Sequence, residues 1–338
     1  MKNITVLGID LAKNVFQLHG ADNKGKCIIR KRLSRAKLPE YIATLKPCTI
    51  GLEASGGAHY WARKFREMGH TVKMMAPQFV KPYVKSNKTD RNDAAAIAEA
   101  VTRPEMRFVS IKTVEQQDAL LCHRARELAI TQRTRQANQI RSFLGEYGIV
   151  IARGIEQIRK LPEILENNKD KLSVQAVFVF KQLYENFKET NEHVEEFERL
   201  IEHHAKNDAQ CQQLLEIEGL GSITASAAVA TIGDANVFKK GREVSAWLGL
   251  VPKQHSSGNK TKLQGISKRG DVYLRKLLIH GGRAVVRTCE NKTDKRSAWV
   301  TDKLRRCGYN KAAVAVANKN ARIIWAILAT GECYRKAA

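Results

Sequence analysis

Between Ile4 and Met75 the chain offers three strands before its first helix, and that order removes most of the α/β folds available to it. Ile4 to Ile9 is an unbroken apolar run, the pattern of a strand buried on both faces. Val15 to His19 reads as a second strand, and Asp22-Asn23-Lys24-Gly25 forms a turn into a third, Cys27 to Leu33. A helix over Leu38 to Leu45 follows, then a strand over Thr49 to Glu53, a helix from Ala58 to Met68 stopped by Gly69, and a strand over Thr71 to Met75. The order β-β-β-α-β-α-β, with another helix opening after Asp90, is that of an RNase H-like fold. A doubly wound dinucleotide-binding sheet would begin β-α-β instead.

Charge then divides the rest. The 338 residues carry 58 Lys+Arg against 34 Asp+Glu, a formal net charge of +24. Residues 1–110 hold net +11, residues 111–205 net −1 and residues 206–338 net +14, counted from the sequence. Two basic ends around a near-neutral middle suggest two nucleic-acid-contacting modules joined by a helical spacer. In the middle, apolar residues such as Leu121, Leu128, Val194, Phe197 and Leu200 recur at helical spacing among charges. This suits an antiparallel hairpin or coiled coil that could dimerise, or a helical bundle packed on the first domain. The apolar stretch Ala312 to Leu328 is broken by Asn318, Lys319, Asn320 and Arg322, so no membrane partner is expected. Met1-Lys2-Asn3 leads straight into a strand without a signal peptide, and the expected compartment is the cytoplasm. Seven cysteines without a C-x-x-C pair read as scattered thiols, and His203-His204 as a solvated pair in a charged helix.

Four carboxylates stand where chemistry could be assembled. Asp10 ends the first strand in Gly8-Ile9-Asp10, and Glu53 ends the fourth in Gly51-Leu52-Glu53. If these strands are neighbours, the two acids converge within reach of one divalent ion. Asp90 and Asp93 open the next helix, three residues apart and on one face. Four acids inside a basic domain call for a cation, and Mg²⁺ is the usual partner of carboxylate oxygens beside phosphate. Taken singly, each acid is also an ordinary turn or N-cap residue. The phosphate loop of actin-like ATPases fits Gly8-Ile9-Asp10-Leu11 but fails at Ala12-Lys13-Asn14, where small Gly/Thr/Ser residues are needed.

The last third adds two signals. Ile217-Glu218-Gly219-Leu220-Gly221 has helix-hairpin-helix spacing, in which Gly219 and Gly221 would offer backbone N–H groups to a phosphate. A plain helix-turn-helix packing corner is the other reading. Downstream, His255-Ser256-Ser257-Gly258-Asn259-Lys260-Thr261-Lys262 reads as a polar basic loop, followed by Lys268, Arg269 and a helix carrying Arg275. On physical grounds alone it binds phosphate, because a serine nucleophile needs a base that the sequence does not name.

Together these motifs resemble, nearly end to end, the DEDD transposases of bacterial insertion sequences, the bridge-RNA-guided serine recombinases. The resemblance rests on G-I-D-x-A-K at Gly8 to Lys13, E-A-[ST]-G at Glu53 to Gly56 and T-D-x-x-D-A at Thr89 to Ala94. It continues through Glu218 to Ala225 and the later G-L-x-P, S-G and I-S-K-x-G-x-x-x-L-R segments. Glu218-Gly219 stands where the family has P-G.

The resemblance implies a RuvC-like N-terminal domain over 1–110, a helical coiled-coil region over 111–205 and a mainly helical transposase domain over 206–338. It implies that Asp10, Glu53, Asp90 and Asp93 bind Mg²⁺ or Mn²⁺. It further implies that Ser257 attacks DNA to form a covalent 5′-phosphoserine, with Ser256 and Ser267 as rival assignments. Implied partners are donor and target DNA, an element-encoded bridge RNA, and further copies of the chain as a dimer assembling to a tetramer. The implied setting is the nucleoid. Two other classes compete: a RuvC-like endonuclease that hydrolyses junctions or hybrids with water, and a non-catalytic nucleic-acid scaffold.

Overall fold

A computed structural model describes residues 4–85, 89–258 and 260–335. Met1 to Asn3, read above as leading into the first strand, and Asn259 of the serine segment lie outside the described residues. The chain forms two compact units, Met1–Val114 with Ile232–Lys239, and Glu115–Thr231 with Lys240–Ala338. Residues 232–239 therefore belong with the N-terminal unit, a return that the charge profile does not reveal.

The first unit is a mixed α/β body built on a six-stranded sheet. Its elements are β1 (Val6–Asp10), β2 (Val15–Ala21), β3 (Cys27–Ser34), α1 (Lys37–Ala43), β4 (Thr49–Glu53), α2 (Ala58–Glu67), β5 (Thr71–Met75), α3 (Pro77–Val80), α4 (Asp90–Ala100) and β6 (Phe108–Val109). The sheet order is β3-β2-β1-β4-β5-β6. β1, β2 and β3 pair antiparallel, whereas β1–β4 and β4–β5 are parallel. This is the arrangement expected of an RNase H-like domain. The two-residue β6, antiparallel to β5, has no sequence signal of its own. The β2–β3 turn forms where the sequence places it, because Asp22 Oδ1 accepts from the N–H groups of Lys24 (2.9 Å) and Lys26 (2.8 Å).

The two faces of this sheet are covered differently. Leu7, Ile9, Phe16, Leu18, Ile50 and Leu52 pack in one core with Leu38 and Ile42 of α1 and Trp61 and Phe65 of α2. On the other face, Met75 and Val80 pack with Ala96, Ile97, Ala100 and Val101 around α4.

The second unit is mainly helical: α5 (Val114–Gly145), α6 (Ile155–Ile158), α7 (Leu161–Glu166), α8 (Val174–Asn207), α9 (Ala209–Leu215), α10 (Ser222–Ile232), α11 (Gly241–Trp247), α12 (Val272–Thr288), α13 (Lys295–Cys307) and α14 (Tyr309–Thr330). α5 and α8 form an antiparallel pair, with Arg126 bonded to Glu198 (Nε–Oε1 3.0 Å), Arg133 to Asn191 (2.8 Å) and Gln136 to the Asn186 carbonyl (3.4 Å). The pattern marked in the sequence is only partly the packed one: Val194 is buried and Phe197 half-buried. Leu121, Leu128 and Leu200 are exposed, while Ala119, His123, Ala129, Ala137, Ile140 and Leu144 of α5 and Phe180, Phe187, Asn191, Val194 and Ile201 of α8 are buried.

A second departure concerns the serine segment. Instead of a loop it forms a two-stranded antiparallel hairpin, β7 (Pro252–Ser257) and β8 (Lys260–Ile266). Among the described residues, α14 alone is long and apolar enough to cross a membrane. Much of its surface is packed, including Ala312, Ala313, Val316, Ala317, Ala321 and Ile324. α12 approaches so closely that a Cβ on Gly282 would lie 2.4 Å from the Ala313 carbonyl oxygen.

Candidate active site

The carboxylates of the first unit are set by strand register and by two glycines. β1 and β4 run parallel with Gly8 beside Gly51 and Ile9 beside Leu52. Asp10 and Glu53 are the next residue on each strand, so they leave the same edge side by side on strands about 4.8 Å apart. Side chains alternate faces along a strand. Leu7, Ile9, Ile50 and Leu52 face α1 and α2, while Gly8 and Gly51 face α4. Asp10 and Glu53, two residues past those glycines, therefore share α4's side of the sheet. Both are half-buried.

The glycines allow the helix to come close. A Cβ on Gly8 would lie 2.3 Å from the Ala94 carbonyl oxygen and 2.5 Å from the Ala98 nitrogen, so α4 rests on the β1 backbone. Over β4 the fit is looser, with Val101 and Ile97 side chains 3.0 and 3.1 Å from a Cβ on Gly51. Asp93 directly precedes Ala94, and Asp90 lies one turn earlier. Thr89, not Asp90, caps the helix, its Oγ1 accepting from the Asn92 N–H at 3.3 Å. Asp90 is exposed and Asp93 half-buried, both in a first turn whose dipole favours anions. Thus Asp10 and Glu53 adjoin, and the turn bearing Asp90 and Asp93 begins where α4 crosses β1 on the same face.

The surroundings are cationic. Arg30 and Arg91, with Thr89, Asn92 and Ala95, line a cavity of about 550 Å³ beside the start of α4. Burial, reinforced by Arg30 and Arg91, holds His19 of β2 below the ordinary histidine range. Carboxylates in this setting suit a hard divalent cation and the phosphate it would accompany.

The residues marked in the second unit divide between surface and interior. Ser257 is exposed and ends β7 beside Lys260, with Gly258 at φ +55° starting the turn. Ser256 Oγ accepts from Gln254 Nε2 at 2.8 Å. Lys260, Lys262, Lys268 and Arg269 are all exposed. Arg275 is a correction: it is buried, and its guanidinium donates to the carbonyls of Leu248 (2.9 Å) and Arg269 (2.7 Å). It locks the turn leading into α12, with its guanidinium taken up by backbone. Gly219, with a φ of +85° and in contact with Gly281 of α12, sits at a packing corner. A Cβ on Gly281 would lie 1.8 Å from the Gly219 carbonyl oxygen. Gly221 remains exposed before α10.

Two features escaped the sequence reading. His123 is buried between Tyr273 (Nδ1–Oη 3.1 Å) and Ser226 (Nε2–Oγ 3.1 Å), joining α5, α12 and α10. Burial, with Arg126 and His204 nearby, lowers its pKa to about 4. His204, Asp208 and Cys211 bring their ligand atoms within 4.8 Å of one another at the α8–α9 junction, so the histidine is not simply solvated. There Asp208 Oδ1 caps α9 by accepting from the Cys211 N–H at 2.7 Å, and burial, with Asp208 beside it, pushes the thiol up. Asp208 is thus the N-cap of α9.

A six-stranded mixed sheet presenting acids on one face and edge defines the class of RNase H-like DEDD domains, which generally work with divalent metal ions. Comparison with known proteins narrows this. Residues 7–149 match the IS110-type DEDD transposase model, described as Transposase, and residues 211–298 match the Transposase IS116/IS110/IS902 family. The chain is 47% identical over 335 residues to a probable family 20 transposase of Pseudomonas aeruginosa, covering 98% of this chain and 99% of that one. It is 48% identical over 336 residues to the transposase for insertion sequence element IS1111A of Coxiella burnetii, covering 99% and 92%. It is 40% identical over 336 residues to the transposase for IS1328 of Yersinia enterocolitica, covering 99% and 100%. The chain belongs to the IS110 family of insertion-sequence transposases and is an enzyme acting on DNA.

Proposed function

We propose that this transposase exchanges DNA strands through a covalent serine intermediate, with Asp10, Glu53, Asp90 and Asp93 forming its metal site. The observation that carries the proposal is the shared sheet face of Asp10, Glu53 and the first turn of α4. Mg²⁺ or Mn²⁺ held by these carboxylates would offset charge on the scissile phosphate. Ser257 Oγ attacks phosphorus; the Oγ–P bond forms as the P–O3′ bond breaks, and the serine proton ends on the departing 3′-hydroxyl. The phosphoserine conserves the ester, so rejoining by a new 3′-hydroxyl needs no ATP. Support for Ser257 comes from its place at an exposed hairpin tip, where nothing of its own strand pair shields it.

The remaining parts of the proposal concern assembly. The three-region organisation, the dimer-to-tetramer assembly and guidance by an element-encoded RNA follow from the family resemblance. Lys260, Lys262, Lys268, Arg269 and the open Gly221 turn are proposed phosphate contacts, consistent with net +14 over 206–338. In this reading the carboxylates and the serine act on one phosphodiester in an assembly of several copies.

The test is strand exchange on element-end DNA with the flanking-region RNA. Asp10→Ala and Asp93→Ala abolish exchange while DNA and RNA retention persists. Full activity in either variant overturns the metal assignment. Metal-dependent cleavage in Ser257→Ala at the normal rate would favour the hydrolytic endonuclease.

A further inference from the structure

A groove in the second unit has the chemistry of a single-strand binding site. It encloses about 1180 Å³, more than the ~300–1,000 Å³ of most small-molecule sites, so it has room for a polymer segment. Eight of its lining residues are Lys or Arg, and its one acid is Glu332. The floor is apolar and aromatic: Trp299 of α13 and Trp325 of α14 line it together with Leu250, Val314 and Ile323. Such cations as Lys240, Arg242 and Arg322 stand around that floor.

Two of these cations are held in place by their neighbours, and Arg296 is also paired with Glu218 (Nε–Oε2 3.7 Å), outside the groove lining. Lys319 Nζ lies 4.3 Å over the Trp299 ring, and burial, with Arg296 and Arg322 nearby, holds its pKa below the ordinary lysine value. Arg296 is fixed by Asn320 Oδ1 (2.6 Å), the Glu218 carbonyl (3.2 Å) and Tyr334 Oη (2.9 Å). Crowded ammonium and guanidinium groups beside indole rings favour a ligand that brings both negative charge and flat apolar faces.

We infer that this groove binds an unpaired stretch of nucleic acid, its bases stacking on Trp299 and Trp325 and its phosphates on the surrounding lysines and arginines. A duplex offers such a groove only phosphates, because its base faces are already stacked, whereas a single strand satisfies both floor and rim. Pro252 and Ile266, the paired first and last residues of the serine hairpin, also line the groove. A strand held there passes the hairpin's root, about 17 Å along β7 from Ser257. The inference rests on the chain acting on nucleic acid and stands apart from the serine mechanism.

The experiment measures fluorescence anisotropy of labelled oligothymidylate, oligouridylate and an equal-length duplex with the full chain in EDTA. Trp325→Ala is the main variant, because Trp299 also packs against the α12–α14 core. It loses about 5- to 100-fold of single-strand affinity with little change on the duplex, and Trp325→Phe restores most of it. Lys319→Gln lowers the salt dependence of single-strand binding by about one phosphate contact. Tighter binding of oligouridylate assigns the groove to RNA, and tighter binding of oligothymidylate to displaced DNA. Unchanged single-strand affinity in a folded Trp325→Ala protein, or an equal loss on the duplex, overturns the inference. So does binding to anionic vesicles that Trp325→Ala abolishes while oligonucleotide binding persists.

Discussion

Replacing Gly8 by Ala tests how the carboxylate site is assembled, because the added methyl meets backbone and not a movable side chain. Its Cβ would lie 2.3 Å from the Ala94 carbonyl oxygen, 2.5 Å from the Ala98 nitrogen and 2.9 Å from the Ala98 Cα. Ordinary contact needs about 3.5 Å, so α4 must retreat by about 1 Å along much of its crossing of β1. Overpacking of this kind costs about 1–3 kcal/mol. For a body of this size that lowers the melting temperature by roughly 3–12 °C. Gly51→Ala meets only side-chain atoms, at 3.0 to 3.2 Å, and Gly56→Ala meets nothing within 4 Å. Thermal unfolding followed by circular dichroism should therefore rank the three Gly8, then Gly51, then Gly56, from most to least destabilised. Because the helix that retreats bears Asp90 and Asp93, Gly8→Ala should also need more Mg²⁺ for half-maximal strand exchange. A Gly8→Ala protein as stable as Gly56→Ala, with unchanged Mg²⁺ dependence, would refute the close crossing and the site built on it.

Three further outcomes follow from named contacts. His123 is neutral in the fold, with a pKa of about 4 against 6.5 unfolded, so between those values the unfolded chain binds the extra proton. Its contribution, about 3 kcal/mol, is present above pH 6.5 and lost as pH falls toward 4; His123→Gln should flatten that slope in urea titrations. Arg275→Ala strands the carbonyls of Leu248 and Arg269, and should cost about 2–4 kcal/mol in chemical denaturation. Lys262→Ala should leave stability unchanged and weaken duplex binding, with a salt slope about 0.9 smaller in a filter assay.

What the sequence disclosed follows from which patterns carry physical constraint. Thr49–Glu53 and Thr71–Met75 match their strands because central strands flanked by turn residues have one reading. Asp10 and Glu53 stood out because an acid ending an apolar strand is expensive without purpose. The serine hairpin gave no such signal: every residue of β7 is exposed, as are all but the last of β8, so no alternation separates it from a loop. Leu121, Leu128 and Leu200 misled because α5 and α8 are also joined by polar bonds, Arg126 to Glu198 and Arg133 to Asn191, which a hydropathy pattern does not mark. Arg275 and Gly219 share residue types with true phosphate contacts. Only the structure shows the carbonyls around Arg275 and the backbone of Gly281 against Gly219. The return of 232–239 to the first unit depends on tertiary contacts such as the Asp234 N–H to Ser110 Oγ bond at 3.0 Å.

The central claim is the covalent serine acting with the carboxylates. Its most direct test mixes the protein with Mg²⁺, element-end DNA and the flanking-region RNA, denatures the reaction and maps DNA-linked peptides by mass spectrometry. Ser256→Ala, Ser257→Ala and Asp10→Ala run in parallel. The account predicts a 5′-phosphate adduct on Ser257 that persists in Ser256→Ala and disappears in both Ser257→Ala and Asp10→Ala. Metal-dependent cleavage with no adduct on any serine would contradict it and leave a hydrolytic nuclease.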